Sequence, residues 1–440
     1  MTRSWWCSIR GWRRRSPGSS PRREPPPVAD RRVDYLLVGG GLAAANCARW
    51  LREEGADGSI LLVGREPDPP YNRPPCSKEF LQGRESREDA YFRPNEWWEE
   101  QSIELLTRTS VMGLDLGART ATLMPHRQEV EFGRALVATG ANVRILHVEG
   151  AELDGLHYLR TLSNSAAIWS DASEAEHVVI VGGSYIGTEV AASLTMRGRR
   201  CSIVMQEAVT HERTFGRQAG EWFQSVLQSH GIEVHGDDQL ERFEGADGRV
   251  RKVVTKGGLE LKADAVVMGT GVHPEVHLAE RAGLELGERG GVRCSSRLET
   301  SAPGVWAAGD ICEYDSPIHG RPVRIEHWDV AFNQGKTAAL NMLGRETEYD
   351  VVPYFFSDLA DWASMEYVGP AFGWDQEVVR GSIDDGEFSL WYLQDGRVAG
   401  ALSVGRSDDL EHARRLLTSH TDVSAHTAEL ADVNTDLSGL

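Results

Sequence analysis

Apolar residues gather in two short runs that each lead directly into a glycine-rich turn. The first run is Val33–Val38 and the second is Val178–Val181. A continuous apolar run of this length, followed by a turn and helix-forming residues, is typical of a buried strand in a parallel sheet. The pattern therefore predicts two separate strand–turn–helix units on one chain.

The pattern after the first turn predicts a helix over about 43–54 and a strand over 60–63. A proline-rich segment, 67–75, follows these two elements. Pro94 favours the start of a further helix, because its fixed φ suits the first turn. Residues 135–140 form an apolar strand that ends in a turn, which closes this part of the first unit.

The second unit is predicted over 145–264, with a strand at 201–205 and a helix at 220–230. Residues 263–271 repeat the apolar strand and turn that close the first unit. This repetition indicates that the chain leaves the first domain, builds the second and returns. The segment 302–310 is another apolar strand, and it ends in a carboxylate.

Beyond about residue 346 the pattern changes to alternation. Two alternating segments, 387–393 and 397–404, flank Gln394–Gly396, which predicts a β-hairpin. A helix over 408–417 follows, with Ser407 as the expected N-cap. The last residues are polar, and we expect them to be loose.

These elements predict an α/β protein with two Rossmann-like dinucleotide-binding domains and a C-terminal α+β domain. The predicted boundaries are a disordered basic extension over 1–32, a first dinucleotide-binding domain over 33–144 and 265–346, a second over 145–264, the C-terminal domain over 347–417, and a polar tail over 418–440.

The two turns carry the first candidate chemistry. Glycines in such a turn let backbone N–H groups approach a pyrophosphate, and the following helix N-terminus adds a favourable dipole. Two turns imply two dinucleotides, and hence electrons that pass between them. The candidate residues are Gly39, Gly41, Ala43 and Ala44 in the first turn, and Gly182, Ser184, Tyr185, Ile186 and Gly187 in the second.

Composition narrows the class of protein. The chain has 440 residues, of which 40% are hydrophobic and 26% charged, as in soluble globular proteins. It has no apolar run of about 18 residues, so we expect no membrane insertion. The six cysteines lack metal-knuckle spacing, so we expect no metal site and a reducing, cytoplasmic location.

Charge excludes a further class. The net charge is −19, although residues 1–32 hold nine arginines against two carboxylates. The remaining chain is therefore still more acidic than the total. A body this acidic argues against nucleic-acid binding.

Several motifs occur in a fixed order along the chain. They are Gly39–Ala44, Pro70–Lys78 (PYNRPPCSK), Ala138–Gly140, Gly182–Gly187, Ala307–Asp310 and Glu326–Trp328. In this order they resemble the flavin-dependent ferredoxin reductase family, over about residues 33–417. The resemblance implies that the first dinucleotide is FAD and the second is NAD(P)H.

By this resemblance, Gly39–Ala44 hold the FAD pyrophosphate and Glu66 binds its ribose. The family usually has an acidic residue at one of the two positions 65 and 66, and Arg65 leaves only Glu66. The other residues implied to contact FAD are Arg73, Lys78, Ala138, Thr139, Gly140, Asp310, Glu326, His327 and Trp328.

The second turn, with Gly271 in the matching exit turn, is implied to bind the nicotinamide coenzyme. NADH is expected rather than NADPH, because Glu207 suits a ribose diol and no arginine lies in Met205–Glu207. Arg213 lies downstream, so NADPH stays possible. The resemblance also implies a catalytic pair, Lys78 and Glu189, beside the flavin N5 atom where hydride arrives.

The function implied is transfer of electrons from NADH through FAD to a small iron–sulfur carrier such as a ferredoxin. Phe356 stands where the family usually has a tryptophan, near the flavin and on the side that faces the electron acceptor. The sequence therefore departs from the family at a position relevant to the acceptor. Two alternatives stay open. One is an NADH oxidase, peroxidase or disulfide reductase that uses Cys76, and the other is a non-enzymatic flavin redox sensor that responds to NADH.

Overall fold

The computed structural model describes residues 29–440, so most of the predicted basic extension lies outside the described residues. The first strand begins at Arg31, two residues inside that predicted extension. Arg31 is held there by an ion pair with Glu104, in which NH1 lies 2.7 Å from Oε1. None of the helices within 29–440 has both the length and the apolar character needed to cross a bilayer.

The first sheet contains the strand that leads into the first glycine turn. It has seven strands, and the parallel neighbours of the strand before the turn lie on both of its sides. The strands are Arg31–Val38, Ile60–Val63, Ile103–Leu106, Ser110–Asp115, Thr120–Met124, Gln128–Val137 and Val305–Ala307. The helices of this unit are Leu42–Glu53, Glu79–Gln82, Asn95–Glu100, His277–Arg281 and Trp328–Met342.

The second sheet repeats this arrangement with five parallel strands. In spatial order they are Glu233–His235, Arg200–Val204, His177–Val181, Ala265–Met268 and Leu156–Tyr158. Helices Leu162–Ala172, Tyr185–Met196 and Glu212–Ser229 pack around the sheet, and Leu240–Ala246, Arg249–Thr255 and Glu260–Lys262 form a small antiparallel sheet. The third helix begins earlier than the predicted residue 220, because it continues across a break at Gly216, where φ is +77°.

The two units are joined by a short antiparallel pair. The outgoing segment, Ala141–Val143, pairs with the returning segment, Val272–Pro274. After the return, Val292–Cys294, Cys312–Ser316 and Arg321–Val323 form a three-stranded sheet. This pairing agrees with a chain that leaves one unit, builds another and returns, while the domain limits given above stay a prediction.

The C-terminal part is a five-stranded antiparallel sheet with helices. Its strands, in spatial order, are Tyr354–Leu359, Ala363–Val368, Arg397–Val404, Glu387–Gln394 and Gln376–Ser382. The helices are Asp409–Ser419 and Thr427–Ala431. The fold class, α/β with a C-terminal α+β domain, is therefore confirmed.

Two local expectations for the C-terminal part differ from the structure. The N-cap of the helix Asp409–Ser419 is Asp408 and not Ser407, whose hydroxyl instead donates to Glu366. The residues expected to be loose are packed: Leu430 and Leu437 are buried, and the buried guanidinium of Arg380 donates to backbone carbonyls of this segment. The segment is polar on average, and this composition hid the two leucines that fix it to the core.

Candidate functional site

A cavity of about 580 Å³ opens at the carboxyl end of the first sheet. This is the edge at which open α/β sheets bind ligands, and the volume is in the range of about 300–1,000 Å³ that small-molecule sites occupy. Fifteen of the predicted site residues line it: Gly39, Gly41, Ala43, Glu66, Arg73, Lys78, Ala138, Thr139, Gly140, Tyr185, Glu189, Asp310, Glu326, His327 and Trp328.

The first turn has the backbone that glycine alone accommodates. Gly39 has a φ of +124°, and a Cβ there would clash with the carbonyl oxygen of Ala138. Its N–H donates to the carbonyl of Val63 at 2.8 Å, which fixes the turn to the next strand. A Cβ on Gly41, by contrast, would meet nothing within 4 Å. The turn therefore leaves open space at the N-terminus of helix Leu42–Glu53.

The second turn repeats these features. Gly182 has a φ of +113°, a Cβ on it would clash with the carbonyl of Gly269, and its N–H donates to Val204 at 2.8 Å. Gly182 and Ile186 are half-buried, whereas Ser184 is exposed. Gly271, in the matching exit turn, is also exposed and has a φ of +83°. These residues form a second cradle that does not line the main cavity.

Both helices after these turns lack a cap. Neither Gly41 nor Ser184 caps its helix with a side-chain hydrogen bond, and neither helix has an acidic residue in its first turn. The helix Leu162–Ala172 differs, since Thr161 and Asn164 close a capping box on it. Unpaired N–H groups at a helix start suit an anionic group such as a pyrophosphate. The two turns therefore fit two dinucleotides.

Two of the predicted contact residues are packed tightly within their turns. Ala44 is fully buried, and Gly187 is buried so closely that a Cβ would clash with the carbonyl of Gly182. Small residues at this third turn position allow a helix to approach the sheet. Ala44 and Gly187 therefore pack the turns against their sheets, and their contact with a ligand stays a prediction.

Glu66 and Arg73 both line the cavity and form an ion pair. Arg73 NH2 is 2.6 Å from Glu66 Oε1, and the Tyr71 hydroxyl donates to Oε2 at 2.5 Å. Burial alone would raise the pKa of Glu66, but Arg73 and Tyr71 outweigh it and hold that pKa below its usual range. The carboxylate is thus kept ionised, which suits the ribose contact that the sequence analysis predicts for it.

Arg160 was missed by the sequence analysis. Its NH2 donates to Asp310 Oδ2 at 2.5 Å, and its carbonyl accepts from Arg73 NH1. Arg160 follows a strand of the second unit yet lines the cavity of the first. No motif marks it, since only the tertiary arrangement brings it to Asp310. Other cavity residues missed in the same way are Thr109, Ser110, Val111, Met112, His277, Leu278 and Arg281.

The predicted pair Lys78 and Glu189 is brought together. Lys78 Nζ is 3.2 Å from Glu189 Oε1, and the two side chains are 4% and 8% exposed. The hydroxyls of Ser77 and Ser357 each donate to a different oxygen of Glu189. Because Glu189 lies on the helix after the second turn and Lys78 follows the proline loop, the pair joins the two predicted nucleotide sites.

His327 and Trp328 start the helix that faces Lys78. The Nδ1 atom of His327 accepts from the N–H of Asp329 at 3.3 Å and so caps the helix. Burial, with a further contribution from the Lys78 ammonium, lowers the pKa of His327 to about 4. The ring is therefore neutral near pH 7. Trp328 donates its indole N–H to Asn72 at 3.0 Å.

Phe356 lines the cavity beside Lys78 and Trp328 and forms an aromatic wall there. Lys78 Nζ lies 4.5 Å from the centre of its ring, and the ring of Trp328 packs edge-on against it at 6.1 Å. A phenylalanine thus supplies a cation–π contact but no hydrogen-bond donor.

Glu207 and Cys76 do not line the main cavity. Glu207 Oε1 pairs with Arg213 Nε at 2.5 Å, outside the main cavity. Cys76 is 3% exposed and does not line the cavity, and burial raises the pKa of its thiol to about 12. A protonated, enclosed thiol does not support the alternative in which Cys76 is a redox nucleophile.

Comparison with known proteins gives consistent matches. Residues 33–335 match the pyridine nucleotide-disulphide oxidoreductase family model, and residues 354–440 match the reductase C-terminal model. The chain is 32% identical to rhodocoxin reductase of Rhodococcus erythropolis over 92% of this chain and 93% of that protein.

Solved structures show the same similarity. The ferredoxin reductase for the CYP199A2 system of Rhodopseudomonas palustris superposes with a TM-score of 0.86 at 32% identity, covering 92% of this chain and 99% of that one. Putidaredoxin reductase, in its covalent complex with putidaredoxin, gives 0.87 at 29% identity, covering 93% and 98%.

The glycine geometry makes the two positions of the first turn separable by mutation. We expect Gly41→Ala to keep the folded protein, because its φ of −90° suits alanine and the space is open, but to lose FAD as the new methyl enters the cradle. Gly39→Ala should lower the melting temperature as well. Flavin absorbance of the purified variants and thermal unfolding of the apoproteins measure the two effects, with Gly439→Ala as a surface control. Full FAD occupancy in Gly41→Ala would contradict the cradle.

Proposed function

Because the chain belongs to the ferredoxin reductase family of pyridine nucleotide-disulphide oxidoreductases, we propose that it carries electrons from NADH through FAD to a ferredoxin-like iron–sulfur protein. Family membership makes the chain an NAD(P)H-dependent flavoprotein oxidoreductase. The bound cofactors, the choice of NADH and the electron acceptor are the finer parts of the proposal.

The observation that carries the proposal is the position of the Lys78–Glu189 pair. It lies in the wall of the first cavity, yet Glu189 belongs to the uncapped helix of the second turn. Bound FAD would take two electrons together from a nicotinamide and release them singly to an iron–sulfur centre. A pair at the junction of both sites is placed to act where the two cofactors meet.

The residues of the chain have distinct proposed roles. The first turn, Glu66 and Arg73 bind the FAD diphosphate and ribose, and Asp310 accepts hydrogen bonds from the chain that joins them to the flavin ring. Lys78 holds a buried ammonium in the cavity wall, where it would stabilise negative charge on the reduced flavin ring. Glu189 and its two serine donors hold that ammonium in place.

NADH is the coenzyme we propose for the second turn. Glu207 offers a carboxylate at the end of the second strand, which suits a ribose diol and disfavours a 2′-phosphate. Arg213 is bound to Glu207 and is 75% exposed. Arg213 is thus paired with Glu207, and the carboxylate that suits a ribose diol remains at this position.

The acceptor we propose is a small iron–sulfur carrier. Two of the relatives described above are named for the carriers rhodocoxin and putidaredoxin. The aromatic wall of Phe356 and Trp328 offers a compact apolar boundary between the cavity and a docked protein. Cys76, which is buried behind the cavity, gives no comparable support to a thiol-based acceptor.

Glu189→Gln tests the proposed catalytic pair. We expect FAD to remain bound and its anaerobic reduction by NADH to slow by at least about tenfold. Breaking a buried ion pair costs about 3–5 kcal/mol, of which about 1.4 kcal/mol in the barrier gives that factor. Stopped-flow absorbance measures the rate, with Glu221→Gln on an exposed helix face as control. An unchanged rate would leave the pair a structural salt bridge.

The acceptor is tested by adding a carrier. With NADH as donor, we expect slow reduction of cytochrome c by the FAD-loaded protein alone and at least about tenfold faster reduction with a two-iron ferredoxin. The stimulation should fall as salt rises, because docking to an acidic carrier depends on local opposite charges. If neither ferredoxin nor rubredoxin exceeds the rate of direct oxygen reduction, the proposed acceptor is wrong.

A further inference from the structure

The ammonium of Lys78 lies between two carboxylates, although sequence analysis identified only one. Its Nζ atom is 3.2 Å from Glu189 Oε1 and 3.3 Å from Asp358 Oδ2. The Asp358 side chain is 33% exposed, whereas those of Lys78 and Glu189 are almost fully buried. Asp358 is thus the member of the group that connects the buried pair with solvent.

The C-terminal sheet holds Asp358 firmly. Asp358 lies on the strand Tyr354–Leu359, and its Oδ1 atom accepts from the Ser364 hydroxyl at 2.6 Å on the neighbouring strand. Phe356, two residues earlier on the same strand, contacts the same ammonium with its ring. Side chains two apart share one face of a strand, so this face presents both residues to Lys78.

The charges around Lys78 do not balance. Among residues 29–440, the titratable groups that face its ammonium are Glu189, Asp358 and His327. His327 is neutral near pH 7, and the serines that bind Glu189 carry no charge. One cation therefore faces two carboxylates, so the group is net negative beside the cavity wall.

We propose that Asp358 is a positioning residue that partly neutralises Lys78 and thereby lowers the reduction potential of the flavin bound in the cavity. A negative charge close to a redox group disfavours its reduced, more negative form. Asp358 does not line the cavity, so it acts through the ammonium that does. The inference rests on the proposed FAD site and gives the C-terminal domain a part in setting its electron-donating strength.

Asp358→Asn removes the charge and keeps the shape. Its amide oxygen can still accept from Ser364, while Lys78 keeps Glu189 as its partner. The matched control is Asp361→Asn, since Asp361 is 63% exposed in the same hairpin and pairs with Arg84 at 3.5 Å. Asp358→Glu restores the charge and tests for rescue.

The measurement is the midpoint potential of FAD bound to each purified protein, obtained by anaerobic equilibration with a reference dye. Asp358→Asn should shift the potential in the positive direction, so that the ratio of reduced to oxidised flavin at a fixed potential rises about fivefold. That factor corresponds to about 1 kcal/mol, as for a partly exposed ion pair. Asp361→Asn should match the wild type, and Asp358→Glu should return towards it.

An unchanged potential in Asp358→Asn, or an equal shift in Asp361→Asn, overturns the inference. A potential in Asp358→Glu that is shifted as far as in Asp358→Asn also overturns it, because the restored negative charge would then have no effect on the flavin. A wild-type protein that binds no FAD would instead refute the proposed function itself.

Discussion

The burial of one ammonium group, that of Lys78, constrains the arrangement of the whole chain. An unpaired buried charge costs several kcal/mol, and the cost is offset only when partners surround it. Here the charged group draws on all three parts of the chain. Lys78 comes from the proline loop of the first unit, and its partners are Glu189 from the helix after the second turn and Asp358 from the C-terminal sheet. If the three parts moved apart, Lys78 would lose its counter-charges.

The two glycine turns make the other half of the site. In both units a glycine with positive φ brings the turn against the neighbouring exit strand and leaves a helix start uncapped. The chain thus uses one device twice, once for each proposed dinucleotide. The antiparallel pair between the outgoing and returning segments keeps the two copies adjacent, so the helix of the second reaches the cavity of the first.

The sequence allowed the turns to be predicted because their cause is local: glycine is required where φ is positive or where backbones approach closely. Arg160 and Asp358 escaped prediction because they reach their partners, Asp310 and Lys78, only through tertiary packing. Ala44 followed the turn pattern, and its burial shows that it packs the helix against the sheet. Ser407 was predicted as an N-cap from its residue type, but its hydroxyl donates to Glu366 and Asp408 occupies the N-cap position.

The most direct measurement is an anaerobic titration of the FAD-reconstituted protein with NADH, followed by flavin absorbance. If the Lys78–Glu189 pair marks the junction of two cofactor sites, about one equivalent of NADH should bleach the flavin band, and NADPH should require a clear excess. A bound flavin that stays oxidised with several equivalents of either coenzyme would contradict the account.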